Sequence, residues 1–214
     1  MKKYEKKIAS LLLECNAIKL NPGSPFQWAS GWKSPIYCDN RKTLAYPDIR
    51  NTIKYSFVEL IKEKFLSTEA IAGVATGAIA HGSLVADALG LPFMYVRSEP
   101  KGHGLENLIE GAPQKGQNVV VIEDLISTGG SSLKAVDALR NAGCEVLGMA
   151  AIFTYGFSKA VESFLASGCT LYTLSNYNAL IELAIESGYI QPDLLPALRQ
   201  WRQSPETWSA DTTV

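Results

Sequence analysis

The chain has 214 residues, of which 47% are hydrophobic and 19% charged, and its formal net charge at pH 7 is −1. These proportions exclude disorder, collagen and a coiled coil as the main state, and no apolar run approaches the roughly 20 residues of a membrane span. Without an excess of positive charge, a polyanion would have to bind at a local cluster.

The first 65 residues predict two helices separated by short strands and loops. Apolar residues at helical spacing predict a helix over residues 4–20, and Pro47 begins a second one over 47–65. Between them, a turn cluster at 21–25 precedes an aromatic-rich stretch interrupted by glycine and proline. That composition favours short strands and loops over helix.

From residue 69, apolar segments alternate with helical ones. We predict strands at 70–74, 92–96, 118–122, 146–153 and 171–174, and helices that end at Gly90 and Gly143 with another near 157–166. Uniformly apolar strands between helices predict an α/β fold with a parallel sheet covered on both faces. Ligands bind such sheets at the carboxyl ends of the strands, so we expect functional motifs there.

Cysteine and histidine are scarce, the residues being Cys15, Cys38, Cys144, Cys169, His81 and His103. No two cysteines have the close spacing of a structural zinc site. We recognise no secretory signal, so we expect reduced, mostly buried thiols in a cytoplasmic protein. We expect His81, one turn into a helix, to be structural.

The segment 118–132 carries the strongest functional signal. A valine-rich strand leads into Glu123 and Asp124, and a turn rich in hydroxyls and glycine then opens a helix. Free N–H groups at a helix N-terminus bind phosphate, whereas two carboxylates suit a sugar diol or a magnesium ion. This combination predicts a ribose phosphate ligand. The alternative is an ordinary helix with Ser127 or Thr128 as its N-cap.

The stretch 97–113 is long and polar, which in a compact domain is typical of a lid. Arg97, Lys101 and His103 place up to three cationic groups within seven residues, beside two glycines. Such a lid suits a leaving diphosphate, whose developing charge it would stabilise. The alternative is a solvated charged loop.

Three segments together resemble a known family. Residues 120–131, VVIEDLISTGGS, resemble the phosphoribosyl-diphosphate (PRPP) signature of type I phosphoribosyltransferases. Residues 30–41, SGWKSPIYCDNR, resemble the N-terminal motif of orotate phosphoribosyltransferases, and residues 97–104, RSEPKGHG, resemble their flexible loop. The resemblance extends over roughly residues 5–190, with the segments in the expected order.

The resemblance implies a type I phosphoribosyltransferase fold, a central mostly parallel sheet flanked by helices with an N-terminal hood of helix and short strands. We expect a single domain over 1–214, with a hood-forming region at 1–65, a PRPP-binding core at 66–175, a C-terminal helical region at 176–204 and a frayed tail at 205–214. In the family the flexible loop reaches into the neighbouring subunit's site, which implies a homodimer with shared active sites.

The implied reaction transfers ribose 5-phosphate from PRPP to orotate and gives orotidine 5′-monophosphate and diphosphate, a step of pyrimidine biosynthesis. The resemblance implies Mg²⁺ as the cofactor, held mainly by substrate and water rather than by direct protein ligands, with Glu123 and Asp124 as candidates for a contact. The implied catalytic residues are Arg97, Lys101 and His103. The implied PRPP-binding residues are these three with Thr76, Gly77, Glu123, Asp124, Leu125, Ile126, Ser127, Thr128, Gly129, Gly130 and Ser131. The implied orotate-binding residues are Tyr37, Cys38, Ser127 and Tyr155.

The sequence departs from the family's pattern at Tyr155, where some members have an arginine for the orotate carboxylate. Lys33 and Arg41 are candidates to replace that arginine. Two alternative functions stay open, a phosphoribosyltransferase for another base and a non-catalytic PRPP-sensing regulator that binds nucleic acid. We expect neither nucleic acid nor a membrane as partner.

Overall fold

The computed structural model describes residues 2–28, 31–99 and 108–209. The strands are β1 Ile18–Leu20, β2 Phe26–Gln27, β3 Lys33–Ser34, β4 Ile36–Cys38, β5 Ala70–Val74, β6 Phe93–Val96, β7 Ile109–Glu110, β8 Asn118–Ile126, β9 Glu145–Thr154 and β10 Leu171–Asn176. The helices are α1 Lys2–Glu14, α2 Pro47–Lys64, α3 Ile79–Leu89, α4 Gly130–Asn141, α5 Ser158–Ala166, α6 Tyr177–Glu186 and α7 Leu195–Gln203, with short 3-10 helices at Asn40–Ala45 and Pro192–Leu194.

The centre of the fold is a six-stranded sheet in the order β10-β9-β8-β5-β6-β7. Neighbouring strands are parallel except for β7, which pairs antiparallel with β6. Along β8 the apolar side chains alternate between two cores, with Val120 and Ile122 in one and Val119 and Val121 in the other. The predicted mostly parallel sheet with helices on both faces is thus confirmed.

The N-terminal region differs from the prediction in its first helix. α1 ends at Glu14, and Asn16 follows with a left-handed backbone, φ +54°. Asparagine tolerates that conformation, so the chain turns there and Ile18 enters β1, which pairs with β4. The prediction of a helix up to residue 20 was therefore wrong. The short strands predicted for 21–45 are present, but Asn40–Ala45 forms a 3-10 helix that the sequence did not indicate.

Two strands of the central sheet also differ from the prediction. β8 continues to Ile126 instead of ending at Ile122, because its pairing with β9 runs on to Ile126↔Thr154. Glu123 and Asp124 thus lie within the strand. In addition, part of the stretch predicted as a polar lid forms β7, whose Ile109 is buried against Val96 of β6.

The C-terminal helices α6 and α7 close one face of the sheet around Trp201. Trp201 is fully buried, and its ring lies within 5.6 Å of Trp28 and 5.5 Å of Tyr155. Trp208 is also buried in this core, so the prediction of a frayed tail from residue 205 was wrong at that position. Within the described ranges, no helix is both long and apolar enough to cross a membrane.

Candidate active site

The predicted orotate-binding residues line one small cavity of about 260 Å³. Its lining consists of Gln27, Trp28, Tyr37, Cys38, Leu125, Ser127 and Tyr155. The two tyrosines and Trp28 offer flat apolar faces, and Ser127 and Gln27 offer polar groups. A planar base with polar edges fits such a lining. We call this the base cavity.

Tyr155 is held at the base cavity by neighbouring aromatic rings and by α7. Its ring lies 5.2 Å from that of Trp28 and 5.4 Å from that of Phe157. Its main-chain carbonyl accepts a hydrogen bond of 3.1 Å from Nε of Arg202 in α7. Burial raises the pKa of the Tyr155 phenol well above its usual value, so the ring presents a neutral surface to the cavity.

A second cavity of about 370 Å³ adjoins the first and shares Cys38 and Leu125 with it. Its other lining residues are Asp39, Arg41, Val74, Ala75, Thr76, Gly77, Glu123, Asp124 and Ser131. These residues come from the carboxyl ends of β5 and β8, from the segments that follow β4 and β5, and from the first turn of α4. We call this the ribose cavity, because it brings the acidic pair Glu123 and Asp124 to Thr76 and Gly77, which were also predicted to bind PRPP.

The two carboxylates of the acidic pair have different surroundings. Glu123 is 5% exposed, and its oxygens accept hydrogen bonds from Ser132 Oγ at 2.7 Å and from the Asp124 N–H at 2.9 Å. Burial, and then the neighbouring charge of Asp124, raise the pKa of Glu123 well above its usual range. The carboxylate of Asp124, which is partly exposed, lies directly over Gly77. Asp124 is therefore the carboxylate that the ribose cavity offers to a ligand.

The N-terminus of α4 lies beside both cavities. Its N-cap is Gly129, with a left-handed backbone at φ +84°, and within the described part of the chain no side chain caps this end. The alternative in which Ser127 or Thr128 caps an ordinary helix is therefore wrong. The unpaired N–H groups of the first turn leave this end of α4 suited to a phosphate.

Arg97 marks the start of the predicted lid, and the structure places it at a third cavity. Its main-chain N–H donates to Leu108 O at 2.8 Å, and its guanidinium lies 3.4 Å from Glu110. This cavity, of about 470 Å³, shares Val74, Ala75 and Ser131 with the ribose cavity. The two ends of the lid are thus anchored next to the site, while Lys101 and His103 lie outside the described residues.

Comparisons with known proteins agree with this arrangement. A family model described as phosphoribosyl transferase domain matches residues 44–186. Over 208 residues the chain is 62% identical to an orotate phosphoribosyltransferase of Porphyromonas gingivalis, covering 97% of this chain and 99% of that one. It is 59% identical over 210 residues to an orotate phosphoribosyltransferase of Phocaeicola vulgatus, covering 98% of this chain and 99% of that one. The chain belongs to the orotate phosphoribosyltransferase family.

A solved orotate phosphoribosyltransferase, that of Aeropyrum pernix, has the same fold. The TM-score is 0.74 at 29% identity, and the match covers 86% of this chain and 99% of that chain. The type I phosphoribosyltransferase fold implied by the sequence motifs is therefore confirmed.

Two of the predicted PRPP-binding residues, Glu123 and Ile126, have surroundings that the sequence did not indicate. The Ile126 side chain is fully buried in the core, and its carbonyl accepts a hydrogen bond from Thr154 Oγ1. Glu123 lines the ribose cavity, and its carboxyl group accepts a hydrogen bond from Ser132 Oγ. Thr128 lines a further cavity of about 320 Å³ beside Lys159, next to the N-terminus of α4.

The candidates for the orotate carboxylate are not brought to the base cavity. Lys33 is exposed in β3, and Arg41 lines the ribose cavity, where its Nε donates to Asp39 at 2.7 Å. This contact lowers the pKa of Asp39. None of the described residues that line the base cavity is basic.

The prediction missed Trp28 and Asn40. Trp28 lines the base cavity, and its indole N–H donates to Ile36 O at 3.2 Å. The aromatic-rich composition of its segment was a signal for it. Asn40 is fully buried between β4 and β8, a position that no local pattern indicates. His81 agrees with its predicted structural role, because it is buried 3.3 Å from Thr43 Oγ1 and burial lowers its pKa.

We expect Glu123→Gln to gain stability relative to wild type as pH rises from about 5 to about 8 in magnesium-free buffer. The pKa of Glu123 is raised in the folded state, so the folded chain keeps a proton that the unfolded chain has lost. The contribution of protonated Glu123 to the stability of wild type is complete at pH values below the pKa of Glu123 in the unfolded chain. It disappears as the pH rises through the pKa of Glu123 in the folded chain. Glutamine has the shape of the protonated acid and does not titrate.

The measurement is the midpoint of thermal unfolding at several pH values. Glu162→Gln, which changes an exposed glutamate in α5, is the control. A constant difference between Glu123→Gln and wild type over the whole range would contradict the prediction.

We expect Gly77→Ala to lower kcat/KM by about 10²-fold, the size of effect that a misplacement of about 1 Å has in a reacting site. A Cβ at Gly77 would overlap the Asp124 carboxylate, so that side chain would have to leave its position over the turn. Gly23→Ala is the matched control, because no described atom lies within 4 Å of a Cβ there. Steady-state kinetics and thermal unfolding of both variants check the prediction, and equal activity of the two would contradict it.

Proposed function

We propose that this protein transfers the ribose 5-phosphate group of PRPP to orotate, giving orotidine 5′-monophosphate and diphosphate. The observation that carries the proposal is the junction of the base and ribose cavities at Cys38 and Leu125, beside the uncapped N-terminus of α4. A base, a sugar and a 5′-phosphate are thereby accommodated in their covalent order. The family of the chain supports the same substrates.

Each part of the substrates has its own contact. The 5′-phosphate binds at residues 128–131, where the first-turn N–H groups of α4 and nearby hydroxyls face it. The ribose hydroxyls donate to the carboxylate of Asp124. The orotate ring lies between the aromatic residues of the base cavity, with Ser127 at its polar edge.

In the reaction the bond from the anomeric carbon to the diphosphate oxygen breaks, and a bond from that carbon to a ring nitrogen of orotate forms. That nitrogen is acidic and gives up its proton to solvent, so no strong protein base is required. Positive charge develops on the ribose and negative charge on the diphosphate. No protein nucleophile is required, so catalysis consists of positioning and of electrostatic stabilisation. We propose that Arg97, Lys101 and His103 stabilise the departing diphosphate and that His103 gives it a proton.

Of the described side chains that line the ribose cavity, one carboxylate is suited to bind Mg²⁺. Among the described residues, no group of three or more His, Cys, Asp and Glu side chains is placed to hold a metal ion. Asp124 offers hard oxygen atoms to the cavity, whereas Glu123 is engaged by Ser132. We propose that Asp124 holds the ion together with substrate oxygens and water. When bound, the ion neutralises charge on the diphosphate.

We also propose a cytoplasmic homodimer in which the lid of one subunit acts at the other's site. The resemblance of residues 97–104 to the family's flexible loop supports the shared site, and the free state of all four cysteines, each in a described range, suits a reducing compartment. Co-expression of Lys101→Ala with Asp124→Asn tests it, because a mixed dimer would contain one intact site. We expect recovery of up to about one quarter of wild-type activity, and no recovery would contradict shared sites.

The test of the function is a panel of bases with PRPP and Mg²⁺, followed by ultraviolet absorbance. We expect orotate to be consumed and adenine, xanthine and uracil to be unchanged. Activity with a purine would favour a phosphoribosyltransferase for another base. No activity with any base, together with binding of RNA or DNA, would favour a PRPP-sensing regulator.

A further inference from the structure

Asn40 joins the two cavities through its buried side chain. The residue is fully buried in the 3-10 helix that follows β4. Its Nδ2 donates a hydrogen bond of 2.5 Å to the main-chain oxygen of Asp124, and its Oδ1 accepts one of 3.4 Å from the Cys38 thiol. One amide therefore links Cys38, which lines both cavities, to the strand that carries the ribose carboxylate.

The chemistry of its partners determines the orientation of this amide. A main-chain carbonyl only accepts hydrogen bonds, so the NH₂ group must face Asp124. The thiol then donates to the remaining oxygen. Burial, with the nearby charges of Asp124 and Asp39, raises the pKa of Cys38 well above its usual value, which keeps the donating proton in place.

The main chain of Asn40 is held from the other side as well. Its carbonyl accepts a hydrogen bond of 2.6 Å from Thr43 Oγ1, and that hydroxyl lies 3.3 Å from Nε2 of His81 in α3. Thr43 and His81 are both buried. Asn40 is thus the point at which β4, α3 and β8 are joined by polar contacts.

We propose that Asn40 is a positioning residue that sets the distance between orotate in the base cavity and the ribose of PRPP. This inference rests on the proposed function. The side chain touches neither substrate and acts through Cys38 and the main chain of Asp124. A displacement of about 1 Å between reacting atoms costs about 10²-fold in rate. Loss of this contact should therefore lower kcat, while each substrate still finds its own cavity.

The test compares Asn40→Leu, which keeps the approximate shape without hydrogen bonds, with the control Ser175→Ala. Ser175 is also fully buried, and its hydroxyl donates at 2.8 Å to the main-chain oxygen of Glu5, away from both cavities. We expect kcat of Asn40→Leu to fall about 30- to 100-fold, while the dissociation constants of orotate alone and of PRPP alone change less than about threefold. Ser175→Ala should lower the midpoint of thermal unfolding and leave kcat within about threefold of wild type.

The outcomes separate this inference from the proposed function. If the wild-type chain does not convert orotate, both the proposed function and the proposed role of Asn40 are wrong. If wild type is active and Asn40→Leu has the kcat of Ser175→Ala, only the role of Asn40 is wrong. The role of Asn40 is also wrong if Asn40→Leu loses affinity for both substrates in proportion to its loss of kcat.

A second variant covers the case in which Asn40→Leu does not fold. Asn40→Ser is smaller and polar but too short to reach both partners, and it should show the same fall in kcat with intact binding of each substrate. If neither variant folds while Ser175→Ala does, Asn40 serves the fold alone and the proposal is overturned.

Discussion

Replacing Lys101 with alanine is expected to lower kcat by about 10²- to 10³-fold, the range for losing one group that stabilises transition-state charge. Lys101 lies outside the described residues, so the expectation rests on the resemblance of residues 97–104 to the family's flexible loop. The described ends of that loop support it, because Arg97 and Leu108 are hydrogen-bonded beside a cavity that shares Ser131 with the ribose cavity.

The effect should fall on turnover far more than on folding, since the charge that Lys101 meets develops only as the diphosphate leaves. Lys115→Ala is the control, because Lys115 is an exposed lysine in the turn before β8. Steady-state kinetics and thermal unfolding of both variants check the prediction. Turnover of Lys101→Ala within about threefold of wild type, under about 1 kcal/mol of barrier, would show that the lid role is wrong.

The sheet was predictable because its strands are apolar on both faces. Residues 70–74 are buried throughout, and such a run between helices has few alternatives to a central parallel strand. The end of α3 was equally predictable, because Gly90 adopts φ +67° directly after Leu89. The strand at 70–74 and the end of α3 depend on local composition, so the sequence is sufficient to predict both.

The different surroundings of Glu123 and Asp124 were not predictable. In the sequence they are two adjacent acidic residues at the end of an apolar run. Because they are polar, the sequence gives no sign that β8 continues through them and stays paired with β9. Only the packing of α4, which brings Ser132 to Glu123, and of the turn after β5, which brings Gly77 to Asp124, distinguishes them. Both residues line the ribose cavity, but Glu123 is buried and held by Ser132, whereas Asp124 is partly exposed.

The aromatic support of the base cavity was also beyond sequence reasoning. Trp28 and Trp201 are 173 positions apart, and their contact with each other and with Tyr155 depends on α7 folding back over the sheet. The motif that includes Cys38 indicated a base site, but it carried no information about the C-terminal helix. The base cavity therefore forms only when segments that are distant in the sequence pack together in the folded chain.

Asp124→Asn is expected to lower kcat/KM by about 10- to 100-fold, which corresponds to the loss of about 1.5–3 kcal/mol for a hydrogen bond to a charged group. Asparagine keeps the shape of the side chain and its fit over Gly77, and the main-chain oxygen still accepts from Asn40. What is lost is the negative charge that the ribose cavity presents to the sugar hydroxyls and to Mg²⁺.

We expect Asp124→Asn to lose activity without becoming less stable than wild type. The charge of Asp124 raises the pKa of the buried Glu123, so its removal lowers the free energy needed to ionise Glu123 in the folded chain. We therefore expect a midpoint of thermal unfolding equal to or above that of wild type, with Asp87→Asn, an exposed carboxylate in α3, as the control. Kinetics at several Mg²⁺ concentrations should show a raised magnesium requirement for Asp124→Asn alone. Wild-type kcat/KM and magnesium dependence in a folded Asp124→Asn protein would exclude Asp124 as the ribose carboxylate.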